Sequence, residues 1–244
     1  MKRFFMTSVF VLWAFASSSF AIEGSELLKT IDANLNPETF EMYRKLINVE
    51  PDGSKKEFIM YSVKKGRDRI ASVFLSPASE KGRSTLRVGE NMWLYIPNVG
   101  RPIRITSLQS VTGGIFNNAD IMRLDYNEEY NCEKVEKEEN LYLLHLKART
   151  RGVAYDRVRM WADDTKLLPT KIECYAASGI LLKTLHFKKI KSFDGDLVRP
   201  SVIETDSPLH KGYKSIMIFA KIKAMTLEDE VFTLTFMSKL ESLR

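Results

Sequence analysis

The stretch that decides the fold runs from Leu86 to Tyr126, LRVGENMWLYIPNVGRPIRITSLQSVTGGIFNNADIMRLDY. It opens as a strand and closes as a capped helix. Between them, Ile105 to Ala119 carries no charged residue, in a chain that is 28% charged. Gly, Ser, Thr and Asn dominate that middle piece, so it is too polar for a buried core element. The pattern predicts a mobile, weakly polar flap laid against something apolar, as a lid over a greasy cavity would be. At its end Asn117 is a good N-cap and Asp120 follows three residues later, close to a capping box. Phe116 and Ile121 are spaced for a hydrophobic staple. Ile121 and Leu124 then make an apolar stripe on a helix of two turns, too short to be stable unless it docks.

Outward from the flap, the chain alternates strands and tight turns. Ser25–Leu35 reads as a helix, with Leu27, Leu28, Ile31 and Leu35 on one stripe. Strands are expected at Thr39–Val49, Lys56–Val63, Arg69–Leu75 and Thr85–Ile96, the last with a bulge at Gly89. After the flap they are expected at Tyr130–Lys137, Leu141–Arg149, Ala154–Ala162, Thr170–Ala176, Ile180–Ile190, Val198–Thr205 and Tyr213–Lys223. The connections EENL, DDTKLLP, ASG and DGD are turn-like. This is a mainly β meander of about ten or eleven antiparallel strands in one domain, residues 22–244.

Many of these strands are apolar on both faces. Leu86, Val88, Met92, Leu94 and Ile96 are placed on one face, against Trp93 and Tyr95. Leu144 and Leu146 oppose Leu141 and Leu143, and Ile59, Tyr61 and Val63 oppose Phe58 and Met60. A sheet with one solvated face alternates more cleanly. A β-sandwich core fits this pattern, and so does a curved sheet wrapped around helices with internal space for a ligand.

At the N-terminus, Lys2 and Arg3 precede FFMTSVFVLWAFA and the small-residue run SSSFA. This is the pattern of a secretory signal peptide over residues 1–21, cleaved after Ala21. It implies an exported, periplasmic protein. The formal net charge of +6 is spread without basic blocks, so nucleic acid is not an expected partner. A mildly basic face suits visits to anionic lipid headgroups. Cys132 and Cys174 sit in expected strands. A disulfide between them would close a loop of about 40 residues and add roughly 3–4 kcal/mol; two buried free thiols fit equally well.

Motifs for chemistry are missing. His145, His186 and His210 show no metal-ligand spacing, and no G-x-S-x-G elbow occurs. Neither cysteine lies in C-x-x-C. Asp163-Asp164 reads as a tight turn, and Gly113-Gly114 lacks the context of a phosphate loop. No catalytic residue, metal or cofactor is expected.

GENMWLYIPNVGRPIRI followed by QSVTGGIFNNADIMRLDY resembles the outer-membrane lipoprotein-sorting protein family, in its longer LolA-like branch. ELLKTIDANL, DDTKLLPTKIECYAASG and the ending EDEVFTLTFMSKLE agree with it. The resemblance implies an incomplete, strongly curved antiparallel β-barrel, closed by short helices over an apolar cavity. It implies a periplasmic carrier of acyl chains, whose cargo is an acylated lipoprotein or lipid. The chains would be received from an inner-membrane transporter, ABC-type or a large permease, and passed toward an outer-membrane acceptor. On this reading Gly113, Gly114, Ile115, Phe116, Ile121 and Leu124 form the lid. Ile59, Tyr61, Val63, Met92, Leu94, Ile96, Leu144 and Leu146 line the cavity. The shorter carriers latch lid to sheet with an arginine; Arg101, Arg104 and Arg123 lie nearest the flap here. The competing reading is a sensor module on the same scaffold, which binds lipoprotein or a membrane protein partner.

Overall fold

The structure, a computed structural model, describes residues 23–244. The signal peptide lies outside the described residues. Helix α1 (Gly24–Leu35) buries Leu27, Leu28, Ile31 and Leu35, the stripe read from the sequence. Thirteen strands follow. The first six are β1 (Thr39–Val49), β2 (Lys55–Lys65), β3 (Arg69–Ser76), β4 (Ser84–Val88), β5 (Asn91–Tyr95) and β6 (Pro102–Ile105). Two single-turn helices come next, α2 (Asn118–Ile121) and α3 (Tyr126–Glu129). The remaining strands are β7 (Tyr130–Glu138), β8 (Leu141–Ala148), β9 (Arg157–Asp163), β10 (Pro169–Tyr175), β11 (Leu181–Ser192), β12 (Val198–Asp206) and β13 (Lys214–Ala224).

All thirteen form one sheet in the order β6-β5-β4-β3-β2-β1-β13-β12-β11-β10-β9-β8-β7. Every neighbouring pair is antiparallel, and β13 returns to pair with β1. The sheet is not closed: β6 and β7 are its free edges. It is nevertheless strongly curved. Laid flat at about 4.8 Å per strand, β4 and β7 would stand roughly 48 Å apart. Yet Arg87 of β4 contacts Glu129, the residue before β7, at 2.6 Å. At the rim, the Ser107 hydroxyl donates to the Gly152 carbonyl at 3.0 Å, joining the chain after β6 to the β8–β9 connection.

Two strands more than expected come from one place. Gly89 is not a bulge but half of a two-residue turn, at φ +56°, that splits Thr85–Ile96 into β4 and β5. Short β6 follows. The turn resets the parity, so Leu86 pairs with Trp93 on one face while Met92 pairs with Arg87 on the other.

The apolar character of both strand faces has a direct cause. On the inner face a large core gathers Leu28, Ile31, Phe40, Met60, Phe74, Phe116, Ile121 and Leu144 around α1 and the flap. On the outer face of β2–β5 a second core forms under the C-terminal segment. Its 3-10 turns Asp229–Phe232 and Phe236–Leu243 lie on β3 and β4. Tyr61, Val63, Val73 and Leu86 are buried there against Leu227, Val231, Phe232, Met237 and Leu240. Asp229 ties the segment down to Lys65 at 2.7 Å and Arg69 at 2.8 Å. Leu240 is fully buried in this outer core. Leu240→Ala is expected to cost about 2–5 kcal/mol in denaturant melts, without changing the inner chamber's ligand affinity.

Candidate functional site

The connection between the free edges, residues 106–129, crosses the open side of the barrel, the position expected of the lid. Its first half has no regular structure, so its backbone groups need other partners. The uncharged polar side chains supply them. Asn118 is fully buried. Its amide donates to the Thr106 carbonyl at 2.8 Å, and its carbonyl oxygen accepts from the Val111 N–H at 3.1 Å. The capping box expected from the sequence is present: Asn117 Oδ1 accepts from the Asp120 N–H, and Asp120 Oδ2 from the Asn117 N–H, both at 3.1 Å. Helix α2 is one turn long rather than two. The flap is thus a pinned element rather than a loosely laid one.

The glycines differ from each other. Gly113 and Gly114 both have positive φ, +70° and +72°, which favours glycine. A Cβ on Gly113 meets nothing, whereas one on Gly114 would stand 2.2 Å from Asn48 Oδ1. Buried Asn48 of β1 and Ser215 of β13 seize the flap there. Asn48 donates to the Thr112 carbonyl at 3.0 Å, and Ser215 accepts from the Ile115 N–H at 2.9 Å. Ile115, Phe116, Ile121 and Leu124 are all buried; the last three join the inner core, and Ile115 lies outside it.

Three buried ion pairs hold the lid and its following helix to the wall. Lys64 of β2 meets Asp125 at 2.7 Å, Arg87 of β4 meets Glu129 at 2.6 Å, and Lys183 of β11 meets Asp120 at 2.8 Å. Asp120 also accepts from Tyr155 Oη at 2.9 Å and Arg123 at 2.8 Å. Burial alone would raise the Asp120 carboxyl; the charges of Lys183 and Arg123 outweigh it and hold the group below its ordinary value. The latch is therefore a lysine from the wall. Arg123 joins it from within the lid, while Arg101 and Arg104 are exposed. Removing one partner of such a pair costs about 3–5 kcal/mol, because the other is left buried and charged. Lys183→Met is expected to show that loss and faster hydrogen exchange of the amides of residues 115–122. Adding Asp120→Asn should recover part of both.

Asp32 anchors the same region from α1. Its two carboxylate oxygens accept from the Tyr126 and Asn127 N–H groups, each at 2.9 Å. Burial, with Asp125 nearby, pushes its carboxyl up to about 7, against those two amides and Lys64. The folded state then keeps a proton that the unfolded chain releases near 3.8. Stability accordingly falls as pH rises from about 4 to about 7 and levels off above. Asp32→Asn is expected to flatten that slope in thermal melts across the range.

Inside the lid, a chamber is lined by Phe40, Met42, Ile70, Phe116, Leu185 and Phe219, among others. Its free volume is about 60 Å³, against roughly 10–15 Å³ for one water by the same measure. This is a closed state with room for a few atoms. None of the eight residues expected to line it does so; Leu144, Leu146 and Met92 lie in the inner core without lining the chamber. Leu94 and Ile96 are half-buried in neither core. Three positions are on the wrong face: Tyr61 and Val63 belong to the outer core, and Ile59 is 42% exposed. The inner face of β2 carries Phe58 and Met60 instead.

The chamber wall also holds polar groups that the sequence did not single out. Arg44 of β1 is 3% exposed; it donates to the Ser72 hydroxyl at 3.1 Å and contacts Met217 Sδ at 3.8 Å. Among the described residues its Nε–H has no acceptor, and the buried Tyr126 hydroxyl has no hydrogen-bond partner. Arg199 of β12 donates to the Leu35 carbonyl at 2.6 Å and stacks on Phe219 at 4.4 Å. Among the described residues neither arginine has a carboxylate partner. Burial pushes the Arg44 guanidinium down to about 9 and that of Arg199 to about 10.

Cys132 and Cys174 are free thiols on β7 and β10, with β8 and β9 between them. Cys132 packs against α1, where a Cβ on Gly24 would come within 2.6 Å of its sulfur. Burial pushes the Cys174 thiol up to about 12. Among the described residues no group of three or more His, Cys, Asp and Glu is placed to hold a metal ion.

The site is an incomplete, curved barrel with an apolar interior and one segment crossing its open side. A protein family described only as an uncharacterized protein matches residues 66–239. A LolA superfamily protein from Nitrosomonas europaea superposes with a TM-score of 0.80 at 27% identity, covering 88% of this chain and all of that one. A domain named as an outer-membrane lipoprotein-sorting protein, from Vibrio parahaemolyticus, gives 0.74 at 21% identity, over 88% and 98% of the two chains. A DUF1329 family protein from Desulfovibrio piger gives 0.74 at 20%, over 87% and 96%. No curated protein matches the sequence significantly. The chain belongs to that uncharacterized family, and its fold is that of the LolA superfamily protein it superposes on.

Proposed function

We propose that this protein is an exported, periplasmic carrier that shelters the acyl chains of a lipoprotein or lipid inside the barrel. It would receive them from an inner-membrane transporter and give them up toward an outer-membrane acceptor. The observation that carries this reading is the lid itself. An uncharged crossing segment inserts Phe116, Ile121 and Leu124 into the inner core, and it is held there by a small set of polar contacts.

The physical demand on such a carrier is clear. Each acyl CH2 hidden from water is worth about 0.8 kcal/mol, so free chains do not cross an aqueous gap unassisted. They must be covered and then released. Only about 60 Å³ is left free, because the protein's own side chains fill most of the interior. Loading therefore requires the lid to swing out, so that acyl chains replace Phe116, Ile121 and Leu124 against the wall. Apolar contact is then exchanged for apolar contact, which keeps the difference between empty and loaded states small. Hinge motion is available at Gly113, where nothing crowds the backbone.

The test is native mass spectrometry of the protein purified from the periplasm, repeated after organic extraction. A stoichiometric lipid or acylated peptide that leaves on extraction is the expected result. A protein that comes off empty and also fails to take up a fluorescent fatty acid would overturn the reading.

A further inference from the structure

The chamber is apolar, yet its wall is not neutral. Three guanidinium groups line it, Arg44, Arg123 and Arg199, against one carboxylate, Asp120. That carboxylate is already engaged by Lys183 and Arg123. Arg44 and Arg199 are left without counter-charge on either side of β13. Arg44 is the cross-strand partner of Phe219, and Arg199 lies over the ring of the same residue. Between the lid's end and this wall, the Tyr126 hydroxyl is buried without a partner, as is Arg44 Nε.

Such an arrangement is costly for an empty protein. A buried cation without a paired anion is a net liability, and apolar replacement of similar volume is usually tolerated or stabilising. A buried arginine kept only for structure usually has its charge or its donors answered; Arg69 and Arg83 also leave an Nε–H unpaired, but each has a carboxylate partner. Arg199 partly fits that description, since it holds the Leu35 carbonyl at the end of α1. Arg44 does not. Its unused donor, the unused Tyr126 hydroxyl and the uncompensated charge belong to residues that line the same chamber. A carboxylate or phosphate oxygen would answer all three, and in a dry, closed site the attraction is stronger than in water.

We propose that the chamber contains an anion subsite, built by Arg44, Arg199 and the Tyr126 hydroxyl, for the acid group of an acylated ligand. The inference rests on the carrier reading and narrows it. The cargo brings a carboxylate or phosphate inside the barrel along with its chain, and neutral amphiphiles of the same length are discriminated against.

The test compares three probes of equal chain length on delipidated full-length mature protein: palmitate, monohexadecyl phosphate and hexadecanol. At least one of the two acids is expected to bind at least tenfold more tightly than the alcohol, and the tighter acid names the headgroup chemistry. Arg44→Met should bring acid binding down to the level of hexadecanol, leave hexadecanol within twofold, and not lower the melting temperature. Tyr126→Phe, which deletes only an unpaired hydroxyl, should reduce the acid preference severalfold in a protein of unchanged fold. Equal binding of acids and alcohol by the wild type would remove the subsite and leave the carrier standing. So would an acid preference that survives both substitutions. Failure of all three probes to bind would overturn the carrier reading and the subsite together.

Discussion

A curved sheet that stops short of closure leaves two free edges, and here one segment of chain must join them. β6 and β7 lie at opposite ends of the strand order, so the connection has to pass across the open side. Almost everything distinctive about this protein follows from that crossing. The segment cannot pair as a strand with both edges at once, and it covers an apolar interior. It must therefore satisfy its own backbone with short polar side chains while turning Phe116, Ile121 and Leu124 inward. The uncharged composition of residues 105–119 is the chemical trace of that double duty.

The lid is fastened by charge rather than by more apolar contact. Lys64–Asp125, Arg87–Glu129 and Lys183–Asp120 reach it from strands on both sides of the barrel. Buried pairs of this kind add little net stability over well-packed apolar residues, but they are intolerant of misalignment. A purely greasy lid would slide over a greasy wall with many nearly equal dockings. Three pairs at fixed positions define one docked arrangement, and if the segment opened, as proposed for the carrier, separating them would return the charges to water. That makes the lid specific without making it permanent. The Asn48–Ser215 clamp at Gly114 acts alike at the flap's other end.

How much of this is legible in the sequence depends on whether the information is local. The capping box at Asn117 and Asp120 can be read because it lies within four residues, and the α1 stripe because helical period is local too. The strand map is readable for the same reason. Face assignment is not. Period-two alternation names two sets of residues without saying which is inside, and the usual tie-breaker, a polar outer face, is missing on β2–β4. The C-terminal segment covers that face, and its 3-10 turns have no strong period to announce it. Hence the alternation places Tyr61 and Val63 inside, and the turn at Gly89 carries the error across β4. The inward Lys64, Arg87 and Lys183 are invisible as latch residues, since a lysine or arginine in a strand reads as solvated until its face is known.

The two cores also divide the molecule's labour. The outer one, under the C-terminal segment, stays shut whatever the chamber does: its contacts run along β2–β5 and involve neither α1 nor the flap. The inner one includes the parts that would move under the proposed carrier role. A barrel whose only core was the chamber would lose its stabilising contacts each time a ligand displaced the lid. With a second core on the back of the sheet, the strands nearest the β6 edge keep their curvature while the front opens. The interior can then tolerate groups that oppose folding, Arg44 among them, because the stability of the wall does not depend on the chamber being ideal. The apolar back face that obscures the strand parity is, on this argument, what permits a chamber adapted to something other than its own closure.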